Sequence, residues 1–391
     1  MNRNDLIHTI KDPATLWDII VIGGGATGLG VALEAVTRGY RTLLLEQHDF
    51  AKGTSSKSTK LIHGGVRYLA QGNIRLVMGA LRERGILRRI APHLVKDLPF
   101  IIPCYRWWDM MLYTVGLTLY DLLAGRLGLG RSLPLSAKRT KQLLPAVTSR
   151  KLKGGVVYHD GQFDDARLAI NLCQTILEQG GVALNYMKVS GLLKQDGKTE
   201  GVIAVDEETG SSYKLHAKAV VNATGIFVDD ILKMDDPGAR DVVVPSQGVH
   251  IVVERKFLNG LNALMIPKTP DGRVLFAIPW HEKVVIGTTD VEKHQKEIEP
   301  VPTETEIDYI LETGGRYFEH PPTQADILST FAGLRPLAAP ESEEKKTKEI
   351  SRGHKILVAD SGLFTITGGK WTIYREMGED VVNRIERERN W

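Results

Sequence analysis

Trp17-Asp18-Ile19-Ile20-Val21-Ile22-Gly23-Gly24-Gly25-Ala26-Thr27-Gly28 is the stretch that decides the fold of this 391-residue chain. Its apolar run predicts a buried parallel strand, and the run ends in the pattern G-x-G-x-x-G at Gly23, Gly25 and Gly28. The first glycine permits a tight turn, the second lets the backbone approach a pyrophosphate, and the third allows close helix packing. A helix that begins here brings its positive N-terminus to the phosphates. The stretch therefore predicts a dinucleotide-binding βαβ unit.

The residues downstream complete this unit and narrow the choice of dinucleotide. A helical pattern at 28–39 precedes a second apolar strand, 41–46, which ends in Glu46. A carboxylate at this position accepts hydrogen bonds from a ribose diol and disfavours a 2′-phosphate. Ala223-Thr224-Gly225 follows a buried strand, and Gly368-Gly369-Lys370 follows a strand and opens a helix. Backbone N–H groups and a positive helix end suit an anionic reduced flavin ring, so we predict FAD over NAD.

The remaining patterns predict an α/β fold with an α+β lobe. A helix at 164–179 leads into short antiparallel strands, and successive β runs at 242–290 precede a helix at 304–317. We expect a Rossmann-like FAD-binding domain, similar to those of glutathione reductase and D-amino-acid oxidase, and an antiparallel-sheet substrate domain. The predicted FAD-binding domain is discontinuous and comprises 1–90, 151–240 and 350–391. The predicted substrate-binding or cap lobe comprises 91–150 and 241–349.

The composition is that of a soluble globular protein. Hydrophobic residues make up 42% of the chain and charged residues 25%, which argues against disorder. The two cysteines, Cys104 and Cys173, fit no metal-ligand spacing, so we predict no metal site and a reducing compartment. Residues 1–17 mix acidic and basic side chains before any apolar run, which argues against a signal peptide. We therefore expect a cytoplasmic protein.

The positive charge is concentrated in one segment. Residues 51–154 contain 19 Lys and Arg against 4 Asp and Glu. Such a segment should face cofactor phosphates, a phosphorylated substrate or an acidic membrane surface, or else form a solvated charged face. The segment has neither a group of aromatic residues on which bases could stack nor a helix suited to contact base edges, so we predict no binding of nucleic acid. The stretch 98–129 is too interrupted by charges to span a bilayer. Its cluster Trp107-Trp108-Asp109-Met110-Met111-Leu112-Tyr113 predicts either a helix lying in a membrane interface or a plain buried helix.

The segment 53–65 combines hydroxyl side chains, glycines and cations, which suit close contact with pyrophosphate and flavin. Together with the turns above, it completes the predicted set of cofactor contacts. These are Gly23, Gly25, Ala26, Thr27, Gly28, Glu46, Thr54, Ser55, Ser56, Ser58, Thr59, Lys60, His63, Gly64, Gly65, Ala223, Thr224, Gly225, Gly369, Lys370, Trp371 and Thr372.

Over nearly the whole chain the sequence resembles the FAD-dependent glycerol-3-phosphate dehydrogenases. Taken singly several of the shared motifs are ordinary, but their order is highly specific. The motifs are the turn at 23–28, Ser58-Thr59-Lys60-Leu61-Ile62-His63-Gly64-Gly65-Val66-Arg67-Tyr68-Leu69, Ala91-Pro92-His93-Leu94, Leu119-Tyr120-Asp121, Asp160-Gly161-Gln162-Phe163-Asp164-Asp165-Ala166-Arg167-Leu168, Asn222-Ala223-Thr224-Gly225, Gly248-Val249-His250, Pro279-Trp280, Gly287-Thr288-Thr289-Asp290, Ala332-Gly333-Leu334-Arg335-Pro336-Leu337 and Gly368-Gly369-Lys370-Trp371-Thr372.

The resemblance implies oxidation of sn-glycerol 3-phosphate to dihydroxyacetone phosphate, with the C2 hydride passing to flavin N5. It also implies electron transfer to a membrane quinone by a bacterial protein bound peripherally to the inner face of the cell membrane. Arg67 and Lys370 match family positions that hold the substrate, with Tyr68 as a hydroxyl partner. Arg335, in what we predict to be a rigid turn, matches an arginine that orients the C2 hydroxyl and stabilises its developing oxyanion.

Two histidines compete for the role of proton acceptor. His250 matches the family histidine near the substrate, and imidazole titrates near working pH. His63, in the flavin-binding segment, is the rival base, although it could equally only pack against the flavin.

Other functions stay open at this point. The chain could be a glycerol-3-phosphate oxidase that uses O2, because acceptor choice depends on access to the flavin. A different FAD-dependent enzyme acting on an amine or 2-hydroxy acid is disfavoured by the surplus of cations in Arg67, Lys370 and Arg335. Many family members continue into a helical C-terminal domain, whereas this chain stops at Trp391. A short form, a fragment, a homodimer whose partner covers the site, and a catalytically incomplete flavin-binding subunit all fit that ending.

Overall fold

The computed structural model describes residues 2–12, 15–70, 72–269, 272–339 and 353–391, and of residues 67 and 70 only the backbone. The α-helices, in chain order, are α1 (Arg3–Ile10), α2 (Ala26–Thr37), α3 (Val66–Ala70), α4 (Ile74–Ile90), α5 (Trp107–Ala124), α6 (Ala137–Leu143), α7 (Asp165–Glu178), α8 (Val228–Asp235), α9 (Glu304–Gly315) and α10 (Tyr374–Arg389). The strands, in chain order, are β1 (Leu16–Ile22), β2 (Thr42–Leu45), β3 (Leu61–Ile62), β4 (Val95–Cys104), β5 (Leu133–Ser136), β6 (Gly154–Phe163), β7 (Val182–Leu184), β8 (Met187–Gln195), β9 (Lys198–Asp206), β10 (Ser212–Asn222), β11 (Val243–Glu254), β12 (Ala263–Ile266), β13 (Leu275–Trp280), β14 (Lys283–Gly287), β15 (Val291–Glu292), β16 (Ile327–Ala338), β17 (His354–Val358) and β18 (Phe364–Gly368).

The first sheet has a parallel centre in the order β18-β10-β1-β2-β7. Strand β17 extends it antiparallel to β18, and β8 and β9 leave it as an antiparallel meander attached to β10. Both faces of β1 are covered, which explains why its sequence is almost continuously apolar. The dinucleotide turn lies at the carboxyl edge of this sheet, where open α/β sheets bind ligands.

Helices and the meander cover opposite faces of the first sheet. One apolar core joins the sheet to α2, α7 and α10. The other core joins it to α1 and to the β8–β9 meander. Helices α2 and α10 pack so closely that a Cβ on Gly30 would lie 2.5 Å from the carbonyl oxygen of Tyr374.

The second sheet is mostly antiparallel and has the order β15-β11-β14-β13-β12-β4-β6-β3, with β16 paired to β11 and β5 to β6. One of its faces packs on α9. The other packs on helices α3, α4 and α5. The α/β fold with an antiparallel-sheet lobe predicted from the sequence is therefore confirmed.

Several details differ from the sequence-based expectation. Strands β3 and β6 pair in the second sheet, although both lie in segments assigned above to the FAD-binding domain. The last of the short antiparallel strands and the buried strand expected before Ala223 are one strand, β10, which pairs with β9 at its start and with β1 along most of its length. No difference concerns Cys104 and Cys173, which are buried and unbridged in the described structure.

Candidate active site

The glycine-rich turn has the geometry that its sequence predicts. Gly23 has a φ of +107°, and its N–H donates to the carbonyl of Leu45 at 2.8 Å. A Cβ on Gly28 would lie 1.8 Å from the carbonyl oxygen of Gly23, so no side chain fits there. Helix α2 begins after Gly25 without a side-chain cap and without an acidic residue in its first turn. Its N-terminal N–H groups and positive dipole therefore suit a pyrophosphate.

Glu46 lies beside this turn, directly after β2. One carboxylate oxygen accepts the N–H of Gly24 at 2.6 Å, and the other accepts the N–H of His48 at 2.8 Å. Burial raises the pKa of Glu46, and these two hydrogen bonds oppose the rise. The carboxylate also lines the cavity described next, where its remaining lone pairs can accept hydrogen bonds from a ribose diol.

A cavity of about 590 Å³ runs through the site and is lined by residues from both sheets. Most of the predicted cofactor contacts line it. They are Gly23, Gly25, Ala26, Thr27, Glu46, Thr54, Ser55, Ser58, Thr59, His63, Gly65, Ala223, Thr224, Gly225, Gly369, Lys370, Trp371 and Thr372. The cavity is within the size range of cofactor pockets, about 300–1,000 Å³.

Four of the predicted cofactor contacts, Gly28, Ser56, Lys60 and Gly64, are not among the lining residues. Gly28 acts through packing, as described above. The ammonium of Lys60 lies 2.6 Å from the buried carboxylate of Asp165 and donates to the carbonyl of Ser56. Lys60 therefore neutralises a carboxylate and holds its own segment, so its charge is not available to the cavity as the sequence suggested.

The hydroxyl side chains of the 53–65 segment divide between the cavity wall and internal hydrogen bonds. Ser55 accepts the N–H of Ala26 at 2.9 Å, which joins the segment to the start of α2. Ser58 donates to Asp165 at 2.6 Å, and the hydroxyl of Thr59 lies 2.9 Å from His250 Nε2. These bonds hold the segment in one conformation against the cavity.

The turn at Gly368 and Gly369 brings Lys370 to the same segment. Both glycines have positive φ, +78° and +76°, which glycine adopts at little cost. The ammonium of Lys370 lies 3.5 Å from the carbonyl oxygen of His63 and 5.4 Å from the centre of the Tyr68 ring. The structure thus brings Lys370 to Tyr68 and His63, although Lys370 follows His63 by 307 residues in the sequence.

Arg335 lies in strand β16, opposite Ser246 of β11, and not in a turn as predicted. Its guanidinium donates to the hydroxyl of Thr288 at 2.9 Å and to the carbonyl of Thr289 at 3.1 Å. A Cβ on Gly248 would lie 2.2 Å from Arg335 Nη2, so this glycine leaves room for the guanidinium. The Gly-Val-His motif therefore contributes space as well as a histidine.

His250 is 2% exposed and stacks on Phe331 with ring centres 4.7 Å apart. Burial, followed by the positive charges of Arg335 and Lys60, lowers the pKa of His250 to about 3. The premise that this imidazole titrates near working pH is therefore wrong. His250 is neutral there and serves as a hydrogen-bonding partner of Thr59.

Arg67, predicted to bind the substrate, lies next to Tyr68 in the sequence. Its backbone belongs to α3, but its side chain lies outside the described residues. Tyr68, its neighbour, is buried and lines the cavity.

Sequence reasoning missed two residues of the cavity region. Arg273 and Asp290 both line the cavity, with Nε of Arg273 3.9 Å from one oxygen of Asp290. The other oxygen of Asp290 lies 3.6 Å from Nη1 of Arg335. Asp290 belongs to the Gly-Thr-Thr-Asp motif, and an aspartate that ends a β run was the signal available. Among the described residues no group of three or more His, Cys, Asp or Glu side chains could hold a metal ion.

Helix α5 presents an apolar face to solvent, contrary to the plain buried helix that the sequence left open. The side chains of Leu117, Tyr120 and Ala124 face the core. The exposed apolar side chains are Trp107, Trp108, Met111, Leu112, Val115, Leu119 and Leu122. Exposed arginines, Arg106 and Arg126, flank the two ends of the helix. No described helix is both long and apolar enough for a membrane crossing.

The glycine-rich turn and the cations Lys370, Arg273 and Arg335 line one continuous cavity, so nucleotide and substrate can meet inside it. That arrangement defines a dinucleotide-dependent oxidoreductase. Residues 18–375 match the family model described as FAD dependent oxidoreductase. The chain belongs to this family and, within it, to the FAD-dependent glycerol-3-phosphate dehydrogenases. FAD, the cofactor predicted from the sequence, is the cofactor of the family.

Individual relatives support this assignment. The chain is 42% identical over 415 residues to the mitochondrial glycerol-3-phosphate dehydrogenase of Schizosaccharomyces pombe. This alignment covers 100% of the present chain and 64% of the relative. The mitochondrial glycerol-3-phosphate dehydrogenase of Homo sapiens is 43% identical, in an alignment that covers 96% of the present chain and 53% of the relative. The chain thus spans between about half and two thirds of the length of these relatives.

Solved structures show the same likeness. The glycerol-3-phosphate dehydrogenase from Bacillus halodurans complexed with FAD is 34% identical, with a TM-score of 0.80 over 99% of this chain and 67% of that chain. Glycine oxidase from Bacillus cereus has a TM-score of 0.69 at 19% identity, over 95% of each chain. The second likeness shows the fold alone.

Proposed function

We propose that this chain carries out the FAD-dependent oxidation of sn-glycerol 3-phosphate to dihydroxyacetone phosphate. The observation that carries the proposal is the group of side chains Lys370, Tyr68, Arg335 and His63, which line the same cavity as the glycine-rich turn. The names of the relatives that match over the whole chain support the choice of substrate.

The substrate phosphate would be held by cations near Tyr68. Lys370 lies over the Tyr68 ring, and Arg273 lines the same cavity. A dianionic phosphate requires several converging donors, whereas a carboxylate substrate is satisfied by one arginine or lysine. This count favours a phosphorylated alcohol over an amino acid or a 2-hydroxy acid. Arg67, assigned to substrate binding from the sequence, remains part of the proposal.

The oxidation itself needs a hydride acceptor, an oriented hydroxyl and a base. Bound FAD supplies the two-electron acceptor for the hydride on C2. Arg335 would orient the C2 hydroxyl and stabilise negative charge that develops on its oxygen. Its guanidinium is already aligned by the hydroxyl of Thr288 and the carbonyl of Thr289, so little reorganisation is needed when the substrate binds.

We assign the proton of the C2 hydroxyl to His63 and not to His250. An imidazole whose pKa is about 3 holds a proton poorly at neutral pH, so His250 is a weak base. His63 lines the cavity, and hydrogen bonds from Lys370 and Thr372 fix its backbone. We expect His63→Gln to slow flavin reduction by about 100-fold and His250→Gln by less than about 10-fold. The opposite order would transfer the role to His250.

Electron transfer to a membrane quinone fits the outer face of α5. Its exposed tryptophans and leucines, with Arg106 and Arg126 at its ends, match an amphipathic helix that lies in the interface of an anionic membrane. We propose peripheral attachment to the inner face of the cell membrane through this helix. A homodimer, expected from the sequence, stays a prediction.

Anaerobic mixing with sn-glycerol 3-phosphate tests the proposal. The visible flavin absorption should bleach with this substrate but not with glycerol or glycine. Lys370→Met should raise the substrate concentration needed for half-maximal bleaching by at least about 10-fold, and Lys370→Arg should restore part of the loss. Equal bleaching by glycerol would refute the role of the phosphate. Turnover with a quinone analogue, compared with turnover on oxygen, separates a dehydrogenase from an oxidase.

A further inference from the structure

Three buried polar side chains from different elements meet behind the flavin-binding segment. Arg84 of α4, Tyr120 of α5 and Asp160 of β6 are each at most 2% exposed. Arg84 Nη1 lies 2.6 Å from an oxygen of Asp160, and the Tyr120 hydroxyl lies 2.9 and 3.1 Å from the two oxygens. The Arg84 guanidinium also lies over the Tyr120 ring, 5.6 Å from its centre.

The N–H of Gly64 is the point where this cluster meets the candidate active site. It donates to the Tyr120 oxygen at 2.8 Å and lies 3.4 Å from Asp160 Oδ1. A Cβ on Gly64 would lie 2.5 Å from Leu81 and 2.6 Å from the Tyr120 oxygen, so the peptide is packed directly against the cluster. Asp160 also lines the cavity.

The same peptide group is held from its other side. The carbonyl of His63, bonded to the nitrogen of Gly64, accepts hydrogen bonds from Lys370 at 3.5 Å and from Thr372 at 3.4 Å. The peptide between His63 and Gly64 is therefore fixed through both its polar groups. Fixing this peptide fixes the backbone dihedral angles on either side, and so the direction in which the His63 side chain leaves the chain.

Stability alone does not account for such a cluster. A buried ion pair loses much of its Coulomb energy to desolvation, and well-packed apolar residues often replace one without loss of stability. Burial, followed by the charge of Asp160, raises the pKa of Tyr120 well above its ordinary value, so the phenol keeps its proton. It donates that proton to Asp160, and its oxygen is left to accept from Gly64. The direction of every hydrogen bond in the cluster is thereby set.

We propose that Arg84, Asp160 and Tyr120 are positioning residues that fix the His63–Gly64 peptide and thereby aim His63 at the substrate. The proposal rests on the function proposed above, in which His63 accepts the proton. In this scheme the three side chains do not contact the reacting atoms, although Asp160 borders the cavity. They act through the Gly64 N–H, which donates to the hydroxyl of Tyr120 on helix α5.

Tyr120→Phe in the intact FAD-loaded protein tests the proposal, because it removes one hydroxyl and keeps the ring. Tyr113→Phe is the matched control: Tyr113 lies seven residues earlier on the same helix, packs against the same core and does not line the cavity. We expect Tyr120→Phe to slow flavin reduction by about 10-fold, since small misplacements of a reacting group can cost up to about 100-fold. The half-saturating substrate concentration should change less than about twofold, because the phosphate cations are untouched.

Two further readouts separate positioning from a general loss of structure. Hydrogen exchange in the peptide containing residues 61–65 should become faster in Tyr120→Phe and stay unchanged in Tyr113→Phe. The Gly64 N–H loses the shorter of its two hydrogen bonds in the first variant and keeps only the long one to Asp160. The visible circular dichroism of the bound flavin should change in the first variant only. Equal slowing by both variants, or unchanged exchange at 61–65 in Tyr120→Phe, would overturn the proposal.

Failure of the proposed function would look different. If wild-type protein is not reduced by sn-glycerol 3-phosphate, the substrate assignment fails. Exchange at 61–65 and the flavin circular dichroism would still report whether the cluster positions this segment.

Discussion

The low pKa of His250 makes the free energy of unfolding of the protein depend on pH. Replacing this one residue measures how much of that dependence His250 contributes. His250 ordinarily has a pKa of 6.5, and the folded protein lowers it to about 3. The native state therefore holds this imidazole neutral, whereas the unfolded chain protonates it below pH 6.5. The contribution to stability is fully present above pH 6.5 and is lost as the pH falls from 6.5 towards 3.

The size of the effect follows from the two pKa values. At pH 7 both states are mostly neutral, so the term is close to zero. At pH 5, which is about 1.5 units below the pKa of His250 in the unfolded chain, the unfolded state binds about one proton more than the native state. This difference lowers the free energy of unfolding by about 2 kcal/mol. His250→Gln removes the titrating group but keeps a polar side chain that can reach Thr59. The variant should therefore lose about 2 kcal/mol less than wild type between pH 7 and pH 5.

Urea denaturation of the FAD-loaded proteins at these two pH values measures the difference. Flavin release and all other titrating groups contribute equally to both proteins, so they cancel in the comparison. His216→Gln is the control, because His216 is an exposed histidine on β10. An equal loss of stability in wild type and His250→Gln would refute the assignment of a depressed pKa to His250. It would also reopen His250 as the proton acceptor.

Three other predictions test separate parts of the structure. Gly28→Ala should abolish FAD binding, because its Cβ would meet the Gly23 carbonyl at 1.8 Å, while Gly116→Ala, which has open space, should keep a full complement of flavin. Asp290→Asn should slow flavin reduction by about 10-fold at unchanged flavin content, because the guanidinium of Arg335 loses the nearby charge. Val115→Asp on α5 should reduce sedimentation with anionic vesicles, whereas Leu261→Asp, at an exposed leucine outside α5, should not. Full flavin in Gly28→Ala, an unchanged rate in Asp290→Asn, or equal vesicle binding by both acidic variants would contradict the respective prediction.

Local sequence was sufficient for the dinucleotide turn. A strand, a glycine turn and a helix succeed each other within a few residues at 17–39, so the contacts that hold them are short in sequence. The position of Glu46 was also predictable from local sequence, because it directly follows the adjoining strand. The geometry of this half of the cavity was therefore accessible to reasoning from pattern and spacing.

Strand pairing over long sequence distances explains the errors. Gly333 and Pro336 around Arg335 suggested a turn, yet the residues continue as a strand because β11 lies beside them. Among the described strands β16 pairs with β11 alone, and proline is tolerated at such an edge because no ladder N–H is needed there. The burial of His250 depends on Phe331 from the same strand, so no local pattern could have given its pKa.

The positively charged residues of the segment 51–154 have different surroundings in the structure. Part of their charge is neutralised internally, since Arg84 pairs with Asp160 and Lys60 with Asp165. Another part remains exposed at the ends of α5, in Arg106 and Arg126.

Of the 51–154 segment only Lys52 and Lys57 are among the lysines and arginines that line the cavity; the others, Lys188, Arg273, Arg335 and Lys370, lie outside that segment. Most of the excess charge of 51–154 is therefore not explained by the described cavity. It is better explained by an external anionic surface beside the apolar face of α5. Because the inner face of the same helix carries Tyr120, the element proposed to meet the membrane also holds the peptide that aims His63.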